Sequence, residues 1–230
     1  MIISTVIFLH GWGGNKDSFR GAMNALSNHD CVSVDFPGFG EECAPEKSFS
    51  VEDYASWLHS KLLVLGKTNN LVLVGHSFGG RVAMVYAVKF AKNVEKVVLV
   101  DSAGIKPKLK INKLIKFISF HFCKGCVKIG LYSKERLALH GSDDWKSLPQ
   151  NMKGTFVKVI KQDLSSFAKE IKAKTLIVWG KEDKETPLYM AKKLNKLITK
   201  SKLVVFENAG HFSYIDKHQE FVDIVNNFIG

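Results

Sequence analysis

Three side chains in this sequence have types and contexts that could carry covalent chemistry: Ser77, Asp183 and His211. A serine hydroxyl is a weak nucleophile at neutral pH. It needs an imidazole within hydrogen-bond reach, and the imidazole needs a carboxylate to fix its tautomer and stabilise its charged form. Ser77 lies in Gly75-His76-Ser77-Phe78-Gly79, after the apolar run Leu71-Val72-Leu73-Val74 and ahead of a helical pattern from Arg81. A serine on so sharp a strand-to-helix turn projects above the sheet, and glycines on either side leave room for the turn. Asp183 and His211 follow in that order, each just beyond an apolar run, Thr175–Trp179 and Lys202–Phe206. All three loops therefore open on one sheet edge, as acyl transfer through a serine requires. Asp101, which also ends a strand, ranks second as the acid, and Glu182 and Glu185 flank Asp183. His76 is expected to pack under the turn.

Negative charge that builds on a carbonyl oxygen needs preorganised donors. Ser4–Leu9 reads as a strand that ends in His10-Gly11-Trp12-Gly13-Gly14. In Gly-x-Ser-x-Gly hydrolases one oxyanion donor comes from this loop and the other from the residue after the nucleophile. The backbone N–H groups of Trp12 and Phe78 are the candidates. His10 reads as a structural histidine that tethers the loop.

The elements that must position these residues alternate. Asp17–Leu26 reads as a helix and Cys31–Asp35 as a strand, followed by the turn Phe36-Pro37-Gly38-Phe39-Gly40 and the acids Glu41 and Glu42. Val51–Leu65 reads as a helix capped by Ser50, with Asp53 in its first turn. A helix runs from the serine turn to about Lys92, and the strand Val97–Val100 ends at Asp101. Nearly continuous apolar strands alternating with helices predict a mostly parallel sheet buried on both faces and flanked by helices. After one helix beyond Pro187, the strand Lys202–Phe206 and a final helix at about Lys217–Phe228 close the chain.

That rhythm breaks between Ile105 and about Phe167. The division is a core of 1–104 and 168–230 with a helical cap of 105–167 inserted after the strand that ends at Asp101. Between Lys106 and Lys128 lysines occur without any acid, while Ile111, Leu114, Ile115, Ile118 and Phe122 recur at helical spacing, a basic amphipathic helix. Its lysines either face water over a lid or, through Lys110, Lys113 and Lys116, dock an acidic acyl carrier or an anionic surface.

The chain has 230 residues, 46% of them hydrophobic, enough for one domain with a modest insertion. The net charge of +11 comes with no nucleic-acid-binding motif, so nucleic acid is not expected. No signal peptide and no apolar run of about 20 residues is visible, so a cytoplasmic, non-transmembrane protein is expected. Cys31, Cys43, Cys123 and Cys126 are read as incidental, the Cys123-x-x-Cys126 pair lacking a second half for a zinc site. No metal site is predicted. The expected assembly is a monomer or homodimer.

His10-Gly11-Trp12-Gly13, Asp35-Phe36-Pro37-Gly38-Phe39-Gly40, Gly75-His76-Ser77-Phe78-Gly79-Gly80, Trp179-Gly180-Lys181-Glu182-Asp183 and Gly210-His211-Phe212 together resemble the α/β-hydrolase superfamily over essentially the whole chain outside the insertion. The resemblance implies the fold above with a helical cap, a Ser77-Asp183-His211 triad and no cofactor. Ser at position 77, where dehalogenases and epoxide hydrolases carry a carboxylate nucleophile, directs the expectation to cleavage of an ester or thioester. Within the superfamily the chain is similar to small carboxylesterases that include the pimeloyl-carrier-protein methyl esterases; a serine often follows the Pro-Gly-x-Gly turn in the superfamily, and Glu41-Glu42 replaces it here. Lyase chemistry, acyl or peracid transfer, and a non-catalytic binding module on the same fold are the alternatives.

Overall fold

A computed structural model describes residues 4–106 and 148–230. Its frame is a six-stranded sheet, β1 (Thr5–Leu9), β2 (Asp30–Val34), β3 (Leu71–His76), β4 (Val94–Val100), β5 (Lys174–Gly180) and β6 (Ser201–Phe206). The order is β2-β1-β3-β4-β5-β6 and every pair is parallel. Each parallel neighbour needs a crossover, and helices on both faces supply it. α2 (Val51–Val64), α3 (Phe78–Lys89) and α6 (Tyr189–Leu197) pack on one face, with Ile7, Leu9, Leu71, Leu73, Val97, Leu99, Ile177 and Trp179 beneath them. The intervening residues Val6, Phe8, Val72, Val74, Val98, Val100, Leu176 and Val178 point to the other face. There α1 (Arg20–Ala25) and α8 (His218–Ile229) cover them. The two-residue period thus sorts one apolar run into two cores.

β3 lies inside the sheet, flanked by β1 and β4, and all its residues are buried, so the turn after it starts from rigid backbone. The edge strands β2 and β6 are only partly buried. α2 carries the expected cap: Asp53 N–H donates to Ser50 Oγ at 3.2 Å, and Ser50 N–H returns to Asp53 Oδ2 at 2.7 Å.

Helix boundaries differ from the sequence expectation in two places. The helix expected over Asp17–Leu26 is a 3₁₀ turn, Lys16–Phe19, followed by α1, because Asn15 and Ser18 cap the first turn reciprocally. The helix after the serine turn ends at Lys89, and a separate 3₁₀ turn, Ala91–Asn93, leads into β4. The last helix, α8, starts at His218 beside its expected start at about Lys217, and a separate short helix that was not expected, α7 (Ser213–Asp216), precedes it.

Within the segment expected to form a cap, α4 (Gln150–Lys161) and the start of α5 (Ser165–Glu170) are described. Met152, Phe156 and Val159 make the buried stripe of α4. The basic amphipathic helix with Lys110, Lys113 and Lys116, and the Cys123/Cys126 pair, lie outside the described residues. Cys31 and Cys43 are free thiols. Among the described residues no helix is long and apolar enough to cross a membrane.

Candidate active site

Ser77 occupies the junction of β3 and α3 at φ 49° and ψ −106°, a backbone conformation rarely adopted by a side-chain-bearing residue. What holds it there is crowding. A Cβ on Gly79 would stand 2.1 Å from Leu9 O, and one on Gly75 would stand 2.5 Å from Gly79 O. Ser77 N–H donates to Val100 O at 3.0 Å, and its own C=O accepts from Ala103 N–H at 3.1 Å. The turn is therefore bolted to the end of β4.

Ser77 Oγ lies 3.0 Å from His211 Nε2, and His211 Nδ1–H donates to Asp183 Oδ2 at 2.8 Å. The three residues come from loops after β3, β5 and β6, as their positions past the apolar runs implied. Asp183 is aimed by its own loop. The N–H groups of Glu185 and Thr186 donate to Asp183 Oδ1 at 2.8 and 2.9 Å, and Thr186 Oγ1–H donates to Oδ2 at 2.5 Å. Burial disfavours the Asp183 carboxylate, yet the hydrogen bonds from His211 and Thr186 hold its pKa below the ordinary value. Burial likewise opposes a charged His211, but the Asp183 hydrogen bond and charge, with Glu185 and Asp101 adding, carry its pKa above the ordinary value.

The rival acids do other things. Asp101, fully buried, accepts from Gly180 N–H at 2.8 Å, Ser213 N–H at 3.1 Å and Ser213 Oγ–H at 2.5 Å. One carboxylate thus ties the loop that carries Asp183 to the start of α7, just past His211. Burial pushes the Asp101 carboxyl up to about 7 against those hydrogen bonds. Glu182 turns away to accept from Ala209 N–H at 2.9 Å. Glu185 places Oε2 3.3 Å from His211 Nε2, on the serine side of the ring.

His10 is fully engaged, donating from Nδ1 to Gly11 O at 2.7 Å and accepting Phe36 N–H on Nε2 at 3.1 Å, which fixes a neutral tautomer. Burial lowers its pKa accordingly. His76, expected to pack under the turn, has its ring against those of His211, Phe212 and Tyr214 and donates from Nε2 to the His211 carbonyl at 2.7 Å. Burial, then the neighbouring His211, lower its pKa to about 3, so it stays neutral. Phe78 opens α3, so its N–H has no partner within the helix. Trp12 lies in a tight turn closed by Gly14 N–H to Gly11 O at 3.1 Å, with its ring 5.3 Å from that of Phe78.

A cavity of about 310 Å³ opens on Ser77 and His211, lined by Gly11, Trp12, His76, Phe156, Glu185 and Phe212 among others. A second of about 250 Å³ shares Trp12 and Gly13 and is walled by Phe39, Leu148, Pro149 and Met152. Sequence reasoning passed over Thr186 and Ser213, whose hydroxyls carry no motif. It also passed over Phe156, although Met152, Phe156 and Val159 recur at helical spacing and so announced a buried face.

The alpha/beta hydrolase fold family model matches residues 4–123 and 129–218. "Lipase 1" of Psychrobacter immobilis is 26% identical over 95% of this chain and 74% of its own. The "2-hydroxy-6-oxo-6-phenylhexa-2,4-dienoate hydrolase" of Comamonas testosteroni is 29% identical over 97% of this chain and 87% of its own. Among solved structures, an esterase from Exiguobacterium antarcticum superposes with a TM-score of 0.75 at 24% identity, over 98% of this chain and 91% of its own, a likeness of fold.

Proposed function

The chain belongs to the alpha/beta hydrolase fold family, and on that premise we propose that it is a serine hydrolase that cleaves a carboxylic ester, or a thioester, through an acyl-enzyme. The observation that carries the reading is the unbroken run from Ser77 Oγ through His211 to Asp183, at 3.0 and 2.8 Å, facing a cavity. His211 Nε2 takes the Ser77 proton as Oγ attacks the carbonyl carbon, and Asp183 stabilises the imidazolium that forms. The backbone N–H groups of Trp12 and Phe78 hold the oxyanion. Collapse of the tetrahedral species expels the alcohol, which takes the proton from Nε2. A water then gives its proton to His211, attacks the acyl carbon and releases the acid, and Ser77 recovers its hydrogen.

Relatives named as lipases and an esterase-like fold support ester cleavage. The relative named as a dienoate hydrolase supports a second reading, hydrolysis of a 2-hydroxy-6-oxo-dienoate, a substrate that is itself an anion. The test is turnover of p-nitrophenyl esters of graded acyl length by the wild type and Ser77→Ala. A fall of at least about 10⁴-fold in kcat/KM, with an unchanged melting temperature, is expected. Equal rates in the two proteins, or none in the wild type, would overturn the ester reading.

A further inference from the structure

Among the described residues that line the Ser77 cavity, Glu185 is the only carboxylate and none is Lys or Arg. Its backbone N–H donates to Asp183 Oδ1 at 2.8 Å, so residue 185 is fixed to the loop that orients His211. Its Oε2 reaches within 3.3 Å of His211 Nε2. Under the ester-hydrolase reading, on which this inference rests, Nε2 is the atom that hands a proton to the departing alcohol. A carboxylate so close to that atom lies beside the alcohol half of the substrate rather than the acyl half. Trp12, Phe156 and Phe212 line the same cavity, with the Trp12 and Phe156 rings 5.1 Å apart. Aromatic rings beside one carboxylate are the chemistry that recognises an ammonium group.

We propose that Glu185 sets the charge specificity of the site, favouring esters whose alcohol carries an ammonium or no charge and rejecting those whose alcohol carries a carboxylate. The Glu185 side chain is 68% exposed, so salt and water screen the interaction and its effect is a modest factor that falls with ionic strength. The same contact acts on the base. Glu185 stabilises the His211 imidazolium, and the catalytic form is neutral His211, so the charge of Glu185 holds the acid limb of kcat/KM at higher pH. This gives a second readout, which reports where Glu185 sits rather than what it selects.

The experiment compares kcat/KM for three acetate esters of similar size, from choline, 3,3-dimethylbutanol and a hydroxycarboxylate, in the wild type and Glu185→Gln at low ionic strength. The cationic-to-neutral ratio is expected to fall about fivefold in Glu185→Gln and the anionic-to-neutral ratio to rise by a similar factor. Ratios that do not change overturn the proposal, even if the acid limb moves. Neutral-ester turnover that is lost in Ser77→Ala reports separately on the serine-hydrolase reading. Should no ester be turned over, calorimetric titration of phenyltrimethylammonium against its neutral analogue tert-butylbenzene decides. Preference for the cation that weakens about fivefold in Glu185→Gln sustains the proposal, and equal or undetectable binding of the two overturns it.

Discussion

The loop that bears Ser77 and the loops that bear Asp183 and His211 are held in place by different physics. Around Ser77 the agents are backbone and glycine: the buried strand β3, the positive φ of Ser77, and Gly75 and Gly79 so close to neighbouring carbonyls that no Cβ fits. Around Asp183 and His211 the agents are side-chain hydrogen bonds. Asp183 takes two N–H groups and a hydroxyl, Asp101 and Glu182 clip backbone amides across the two loops, and Asp216 receives Gly210 N–H at 2.7 Å. A sterically fixed turn either forms or does not. A loop held by several hydrogen bonds can lose one and keep its shape, and its geometry follows the protonation of the groups involved. Damage to the first region should therefore appear in stability, and damage to the second in rate and pH dependence.

The largest effect that sharpens this contrast is expected from Asp183→Asn. The N–H groups of Glu185 and Thr186 point at Oδ1, so the amide oxygen takes that position and the NH₂ group replaces Oδ2. An N–H then faces His211 Nδ1, which must accept it, and the ring proton moves to Nε2, where it blocks transfer from Ser77. A fall of about 10⁴-fold in kcat is expected with little loss of melting temperature. A comparable loss of stability would show that the acid loop is as sterically determined as the serine turn.

Gly79→Ala tests the other side. The added methyl meets backbone, Leu9 O at 2.1 Å, and β1 cannot retreat because β2 and β3 pair with it on both sides. The expected cost is more than about 3 kcal/mol, read by chemical denaturation, with activity lost in proportion to folded protein. Retention of wild-type stability would mean that crowding does not hold Ser77 in place.

The same division explains what the sequence disclosed. Ser77 was legible because the constraints on its turn fall within a few residues of it, glycines before and after and an apolar strand leading in. The sheet was legible because nearly unbroken apolar runs need burial on both faces. The choice among Asp101, Glu182, Asp183 and Glu185 was ranked but not decided by sequence, since it depends on which way each side chain leaves its loop. That in turn depends on partners elsewhere, Ala209 N–H for Glu182 and Ser213 and Gly180 for Asp101. The short helix α7 was hidden for the same reason. Ser213 is pinned by a carboxylate 112 residues away, and no local periodicity records it.

The smallest effect, and the finest test, concerns Thr186. Its Oγ1–H donates to Asp183 Oδ2 at 2.5 Å, while its carbonyl accepts Trp179 Nε1–H at 2.7 Å and its N–H donates to Asp183 Oδ1. Thr186→Val keeps the shape and both backbone bonds and removes one donor from the carboxylate. A loss of about 1.5 to 3 kcal/mol is typical for a hydrogen bond to a charged group, so kcat/KM or stability should shift by no more than that. The sign of the pH dependence is fixed. The folded-state pKa of Asp183 lies below its ordinary value of 3.8, so the stabilisation is complete above about 4 and disappears as pH falls through the folded value. The gap in unfolding free energy between wild type and Thr186→Val should thus be constant near neutrality and narrow below pH 4. A gap that stays constant into acid would place the Thr186 contribution in packing, and the acid loop would then be held by the same means as the serine turn.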